Sequence, residues 1–243
     1  MHWQSPSPLR GAVTATAAAA LVMGLVPAAD AAVTPRTSFT MKADGSSGAT
    51  AKGKAIPNLD IVKTTVRTYY NATNGIADKT ASPYIGELKA IQDGQAAYLD
   101  SAFAAATGAG KAPAIVFDAD DTTLWTYDME DAGMGFDFDP ALQDVYVQEQ
   151  RFPATPGMVS FVNAAAAKGF AIFGLTGRND DQKTATLGNL TKVGYTTFNA
   201  ANFFTKWTGK PGSPQPSYLT CATTKCTTVE YKAGTRKHIE TDL

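Results

Sequence analysis

The sequence predicts an α/β protein in which flanking helices cover both faces of a doubly wound, mostly parallel sheet. One observation is that short apolar segments of strand length alternate along the chain with longer segments of helical periodicity. Another is that the first of these strands, at residues 114–117, runs directly into three carboxylates and two threonines. Ligands bind at the carboxyl ends of strands in open α/β sheets. We therefore expect the functional groups at that edge of the sheet.

Residues 1–31 have the features of a secretory signal peptide. Arg10 precedes an apolar, alanine-rich run, and Ala29-Asp-Ala31 fits a small-x-small cleavage site. A membrane anchor is disfavoured because the apolar part is short and is interrupted by Pro27. We predict a secreted protein, extracellular or periplasmic, with no membrane association after signal cleavage.

Residues 32–56 contain almost no large apolar side chains and are predicted to be a flexible tether. Residues 57–243 are long enough for one domain. The net charge of −1 gives no basic surface for a polyanion, which argues against nucleic acid as a partner. The sequence does not indicate an oligomeric state.

Two amphipathic helices are predicted before the first strand, one just after Pro57-Asn58 and a longer one from near Pro83. The 114–117 strand is wholly apolar and is predicted to be a buried central strand. The elements that follow are a helix after Thr155-Pro156 ending near Gly169, a strand at 170–175, a helix from Asp180 or Asp181 to Gly194, short strands at 195–198 and 203–207, a strand at 229–231 and a helix over about 233–239.

The two cysteines, Cys221 and Cys226, are predicted to form a disulfide. An exported protein with a single cysteine pair most simply closes one small loop. A metal site would need further ligands nearby, and the only histidines are His2 and His238.

The acidic segment after the first strand is the main candidate for chemistry. Successive strand residues alternate faces, so Asp118 and Asp120 leave the strand on the same side. The alternatives are a solvated acidic turn or a calcium loop, but Thr122 and Thr123 break the calcium-loop pattern. A catalytic carboxylate pair is the favoured interpretation, and it requires a cation because like charges repel.

Together with Thr176, Arg178 and Lys232, this pair suits phosphoryl transfer from a monoester. One carboxylate could attack phosphorus and the other could transfer protons. A hydroxyl could donate to a phosphate oxygen, and a lysine would offset the negative charge. A hard divalent cation, Mg²⁺, is predicted to bring the anionic nucleophile to an anionic substrate.

Three segments resemble motifs I, II and III of the haloacid-dehalogenase-like superfamily, namely Phe117-Asp-Ala-Asp-Asp-Thr122, Leu175-Thr-Gly-Arg178 and Tyr231-Lys232. Pro153-Ala-Thr-Pro-Gly157 and Lys168-Gly169 resemble the secreted acid phosphatase branch, subfamily IIIB, which includes class B and class C enzymes and plant vegetative storage proteins. This resemblance implies a Rossmann-like core without a large cap and Mg²⁺-dependent hydrolysis of small phosphate monoesters at acidic pH.

The resemblance also implies roles for individual residues. Asp118 would be the nucleophile and Asp120 the acid/base, with both as metal ligands and Asp120 binding through its main-chain carbonyl. Thr176 would bind phosphate, and Lys232 would be the motif III lysine. We assign Thr122, Arg178, Trp125 and Tyr127 to substrate binding, although the aromatic residues of 125–139 could equally pack against the rim instead of forming a lid.

The family places a fourth acidic motif on a strand after the motif III helix. This sequence ends at Thr241-Asp-Leu243, so we expect a C-terminal core strand to be missing and the record to be part of a longer protein. The alternative function is that of a non-catalytic secreted protein of the same fold, used for phosphate binding or storage and inactive because the fourth motif is absent. The presence of Asp118 favours the enzyme.

Overall fold

A computed structural model describes residues 58–210, 212–223 and 225–243. The proposed signal peptide and tether, and Pro57, lie outside these residues. In chain order the elements are α1 (Leu59–Tyr69), α2 (Pro83–Gly108), β1 (Ala114–Phe117), α3 (Pro140–Gln148), α4 (Met158–Lys168), β2 (Ala171–Asn179), α5 (Lys183–Lys192), β3 (Phe203–Lys206) and α6 (Thr228–Asp242). A π-helical turn, Met129–Gly133, precedes α3, and a 3₁₀ turn, Asp180–Gln182, precedes α5.

The three described strands form a parallel sheet in the order β1-β2-β3. Ala114 to Phe117 pair with Ala171 to Gly174, and Gly174 pairs with Phe203. The α/β class with a parallel sheet is confirmed. The central position predicted for β1 is wrong for the described part of the chain, where β2 is central, β1 is an edge strand and Val116 is 38% exposed. An apolar run of four residues does not distinguish a central strand from an edge strand.

Both predicted N-terminal helices are present, and their caps explain where they begin. The Asn58 side chain accepts hydrogen bonds from two main-chain N–H groups of the first turn of α1. Ser82 accepts from Ile85 N, and Pro83 occupies the first position of α2. Neither helix contains a fully buried residue.

The main core lies around β1 and β2. It contains Phe117, Val162, Leu190 and Phe203, with α4 and α5 contributing buried side chains. Gly157 and Gly169, both with positive φ, bound α4. The strand register places the carboxyl end of β1 beside the middle of β2, where Phe117 pairs with Gly174.

The segment 229–231, predicted as a strand, lies instead in the first turns of α6. Thr227 and Glu230 form a reciprocal capping box that starts this helix. Val229 and Tyr231 have strand-like side chains, but the cap determines the local backbone. The strand predicted at 195–198 is also absent, because this segment is irregular and its Tyr195 and Phe198 side chains join the core.

Two further features bear on the site. The predicted disulfide between Cys221 and Cys226 is present, and it precedes α6. Helix α3 was not predicted from the sequence, although Asp139 caps it and Pro140 is its first residue. In the described ranges we find no helix with the length and apolar character needed to cross a membrane.

Candidate active site

The first carboxylate, Asp118, directly follows β1 and is held from two sides. One oxygen accepts a hydrogen bond from Ala119 N at 2.7 Å, and the other forms an ion pair with Lys232 Nζ. Its side chain is 37% exposed, so the carboxylate remains open to a ligand. The pairing joins the first strand to the last helix across 114 residues of sequence.

The orientation of α6 explains how Lys232 reaches the end of β1. Tyr231, Thr235 and Ile239 are buried along one side of the helix, and Tyr231 packs with Leu175 of β2. The capping box at Thr227 fixes the start of the helix. Lys232 lies in the second turn, where its side chain extends from the edge of the buried face to Asp118.

The second carboxylate, Asp120, is held by Arg178. Arg178 Nε lies 3.1 and 3.3 Å from the two oxygens of Asp120, and Nη2 lies 2.7 Å from Oδ1. The arginine side chain is 1% exposed and that of Asp120 is 39% exposed. Each predicted catalytic carboxylate therefore has its own cation, supplied by a different element of the fold.

The two predicted threonines occupy different environments. Thr176 in β2 is fully buried, and its hydroxyl accepts a hydrogen bond from Arg178 N at 3.2 Å. Thr122 is half-buried in the turn after β1, where its N–H donates to Ala119 O. Of these two residues, Thr122 is the more exposed to solvent.

Next to Asp120 lies a cleft of about 680 Å³. Its walls carry the acids Asp120, Glu130, Asp144 and Asp181, and its rim carries Phe138, which is 67% exposed. Gln143, Gln182 and Pro140, from the 3₁₀ turn and α3, also line it. The cleft is large enough for a small organic phosphate.

Two carboxyl groups beside the cleft share one hydroxyl partner. Thr126 Oγ1 lies 2.7 Å from Asp121 Oδ1 and 2.9 Å from Glu130 Oε1. Although part of Asp121 is exposed, desolvation of its carboxyl group raises its pKa, and the negative charge of Asp120 adds to this effect. Burial likewise raises the pKa of Glu130, and the charge of Asp121 contributes.

The two aromatic residues assigned to substrate binding, Trp125 and Tyr127, lie away from the cleft. Each is 2% exposed, and both pack against Tyr70, the residue after α1, while Trp125 also packs against Tyr84 of α2. Burial raises the pKa of Tyr84 to about 12. For these two side chains the structure supports the packing interpretation, whereas Phe138 from the same segment is exposed at the cleft.

Sequence reasoning missed several residues that surround Arg178. Thr186 accepts a hydrogen bond from Arg178 Nη1 at 3.1 Å, and the Phe152 ring centroid lies 4.8 Å from Arg178 Cζ. Asn189 binds both main-chain groups of Phe152. Thr186 and Asn189 lie on the same face of the helix as the apolar Ala185 and Leu190. Two polar residues on an otherwise apolar face were the sequence signal for buried hydrogen-bond partners.

The donor set suits Mg²⁺ chemically. Asp118 and Asp120 offer hard oxygen atoms at one edge of the sheet, and both side chains are more than one third exposed. Residues 58–210, 212–223 and 225–243 contain no group of three or more His, Cys, Asp or Glu side chains arranged to hold a metal ion. Protein sites for Mg²⁺ commonly use one or two carboxylates, with water and substrate phosphate completing the coordination.

Comparison with solved structures finds similarity to the class C acid phosphatase of Bacillus anthracis. A tungstate-bound structure of that protein has 23% sequence identity and a TM-score of 0.47, and the match covers 64% of this chain and 61% of that chain. A second structure has 23% identity and a TM-score of 0.46, with 60% and 58% covered. The chain thus spans about three fifths of the length of these proteins.

No curated protein matches the sequence. The family model described as HAD superfamily, subfamily IIIB (acid phosphatase), matches residues 49–242. This range includes all three motifs and every site residue described above. The chain therefore belongs to the haloacid-dehalogenase superfamily, in subfamily IIIB, the acid phosphatases.

Proposed function

We propose that this chain hydrolyses small phosphate monoesters through an aspartyl-phosphate formed on Asp118. The observation that carries this proposal is the pairing of Asp118 with Lys232 beside the pairing of Asp120 with Arg178. In this proposal a nucleophile and a proton donor lie at one sheet edge, each next to a cation. Phosphoryl transfer is favoured by such an arrangement, because cations stabilise the negative charge on the phosphoryl oxygens in the transition state. Family membership supports the same reaction.

In the first step, a carboxylate oxygen of Asp118 attacks phosphorus while the bond from phosphorus to the leaving oxygen breaks. Asp120 gives its proton to that leaving oxygen. Lys232 and the main-chain N–H of Ala119 already bind the two Asp118 oxygens, so they hold the carboxylate in one orientation. Holding the attacking group in place removes much of the entropic cost of the reaction.

In the second step, Asp120 takes a proton from a water molecule, whose oxygen attacks phosphorus. The bond between phosphorus and Asp118 breaks, which releases inorganic phosphate and restores the carboxylate. Lys232, next to Asp118, offsets the negative charge of the phosphoryl oxygens in both steps. The hydroxyl of the half-buried Thr122 would donate to a phosphate oxygen.

The Asp118 carboxylate and the Asp120 main-chain carbonyl would hold Mg²⁺. When bound, the ion would neutralise phosphate charge and so allow one anion to approach another. The acid-lined cleft beside Asp120 would receive the leaving group, with Phe138 at its rim. We further propose that the enzyme acts outside the cytoplasm, and the signal-peptide features of residues 1–31 support this.

The test is hydrolysis of p-nitrophenyl phosphate with Mg²⁺ by the wild-type chain and by Asp118→Asn. The amide keeps the shape of the side chain but is a poor nucleophile, so we expect activity to fall at least about 10³-fold. Asp139→Asn is the matched control, because it makes the same change at the exposed cap of α3, where asparagine caps equally well. This control should retain wild-type activity.

EDTA should abolish wild-type hydrolysis, and added Mg²⁺ should restore it. Full activity of Asp118→Asn would rule out the covalent intermediate on this residue. Absence of hydrolysis by the wild-type chain with Mg²⁺ across a panel of phosphate monoesters would contradict the proposed activity itself.

A further inference from the structure

Arg178 is a buried cation, and each of its three guanidinium nitrogen atoms has a hydrogen-bond partner. Its Nε and Nη2 atoms donate to the Asp120 carboxylate, and Nη1 donates to Thr186 Oγ1 at 3.1 Å. Because the side chain is 1% exposed, water cannot readily replace a lost partner. A buried charge left without a hydrogen-bond partner is strongly unfavourable. Thr186 therefore contributes to the orientation of the guanidinium group, and this contribution can be tested by removing its hydroxyl.

Helix α5 supports Arg178 by a second route. Asn189 lies three residues after Thr186, so both project from the same helical face, and both are fully buried. The Asn189 side chain accepts from Phe152 N at 3.1 Å and donates to Phe152 O at 2.7 Å. These bonds hold Phe152, whose ring centroid lies 4.8 Å from Arg178 Cζ. Cation–π contact and the Thr186 hydrogen bond together restrain the plane of the guanidinium.

We propose that Thr186 is a positioning residue for Asp120 and acts through Arg178. The inference rests on the proposed function, in which Asp120 is the proton donor. Asp120 is 39% exposed, so its own surroundings leave its carboxylate free to rotate unless the guanidinium fixes it. By holding the rigid guanidinium fork in one plane, Thr186 fixes the direction in which Asp120 presents its proton.

This role has a specific kinetic signature. Proton donation matters most for an ester whose leaving oxygen is strongly basic, such as an alkyl phosphate. It matters least for p-nitrophenyl phosphate, whose leaving group is stable as an anion. A misplaced Asp120 should therefore slow formation of the aspartyl-phosphate from the alkyl ester selectively, whereas a general weakening of the fold would slow its formation from both esters by the same factor.

The test compares Thr186→Val and Thr186→Ser on both esters, in Mg²⁺. Valine keeps the volume but removes the acceptor of Arg178 Nη1. For Thr186→Val we expect kcat/KM on the alkyl ester to fall by about 10- to 100-fold, which is the scale of a small misplacement of a catalytic group. The kcat/KM on p-nitrophenyl phosphate should fall by less than about threefold, because kcat/KM reports only the steps up to formation of the aspartyl-phosphate; kcat is not the readout, since Asp120 also activates the water that breaks this intermediate down for both esters. Thr186→Ser should restore the wild-type ratio of the two kcat/KM values.

Thr155→Val is the matched control. Thr155 is 1% exposed, and its hydroxyl has no hydrogen-bond partner among the described residues. The same change of hydroxyl to methyl at this position should leave the ratio of rates unchanged. If circular dichroism shows that Thr186→Val is unfolded, Phe152→Leu tests the same support from the other side and should produce the same selective loss.

Equal losses of kcat/KM on both esters, wild-type kcat/KM values in Thr186→Val, or failure of serine to rescue would each overturn the positioning role. A wild-type chain that hydrolyses neither ester would instead refute the proposed function, and with it the basis of this inference. The two failures are therefore distinguishable.

Discussion

Breaking the disulfide should reduce stability by an amount that the size of its loop predicts. Cys221 and Cys226 are separated by five positions, so the bridge closes a loop of six residues. The chain-entropy relation gives a loss of about 7.4 cal/mol/K in the unfolded chain, or about 2 kcal/mol at 25 °C. For a domain of this size, that corresponds to a decrease in Tm of about 4–8 °C.

The effect should also reach the active site, because the loop leads directly into α6. Glu230 accepts hydrogen bonds from Ala222 N within the loop and from Thr227 N at the helix cap. Lys232 follows two residues later and pairs with Asp118. Opening the loop should therefore loosen the start of the helix and lower kcat modestly, in addition to lowering Tm.

The assay is thermal unfolding followed by circular dichroism, with the wild-type chain oxidised or reduced by dithiothreitol. Reduction keeps every heavy atom and removes only the cross-link. The Cys221→Ala/Cys226→Ala double variant is the control, since reductant should not change its Tm. If the oxidised and reduced wild-type chains unfold within about 1 °C of each other, the entropic reasoning is refuted.

Three further predictions follow from individual contacts. Lys232→Met should reduce kcat by about 10²- to 10³-fold in steady-state assays while the fold persists, because the charge next to the nucleophile is lost and the apolar stem remains. Hydrogen bonds from Arg67 and from the Tyr127 hydroxyl lower the pKa of Asp131 in the folded protein. The ionised carboxylate therefore stabilises the fold above its unfolded pKa of about 3.9, and this stabilisation is lost as pH falls through the lower folded pKa. The Tm difference between wild type and Asp131→Asn should accordingly shrink below about pH 4. Gly174→Ala should destabilise the sheet by about 1–3 kcal/mol in urea unfolding, because its methyl group would overlap Phe203, whereas Gly94→Ala, in an open part of a helix, should stabilise by up to about 1 kcal/mol.

The sequence was sufficient to predict the features of the site that depend on strand ends. Asp118 and Asp120 follow β1, and Thr176 lies in the parallel neighbour β2 beyond the level at which β1 ends, so the fold class places them near one another. The need for a cation at the carboxylates, with Lys232 to offset negative charge, was also predicted. The pairing of Lys232 with Asp118 in particular was not, because it depends on how α6 packs against β2 across more than one hundred residues of sequence.

Other features depended on tertiary packing that local patterns do not encode. Arg178 was assigned to substrate binding, but its burial and its contacts with Asp120 and Thr186 became apparent only in three dimensions. Trp125 and Tyr127 belong to a segment without clear periodicity, and only the position of α1 and α2 determines that they are buried. The start of α6, in contrast, could have been predicted from the Thr227 and Glu230 spacing of a capping box.

The pairing of each proposed catalytic carboxylate with its own cation has a consequence for substrate encounter. While both carboxylates are ionised, Asp118 with Lys232 and Asp120 with Arg178 form two neutral pairs, so these four side chains carry no net charge. Among the acids that line the neighbouring cleft, Asp181 is itself paired with Lys210. The paired side chains therefore give an approaching phosphate ester little long-range attraction of the kind that accelerates association in steered enzymes, whereas bound Mg²⁺ and the proton that Asp120 takes up before the first step would each add positive charge. Capture would be an exchange at short range, in which the phosphate oxygens compete with the nucleophile for the ammonium group of Lys232.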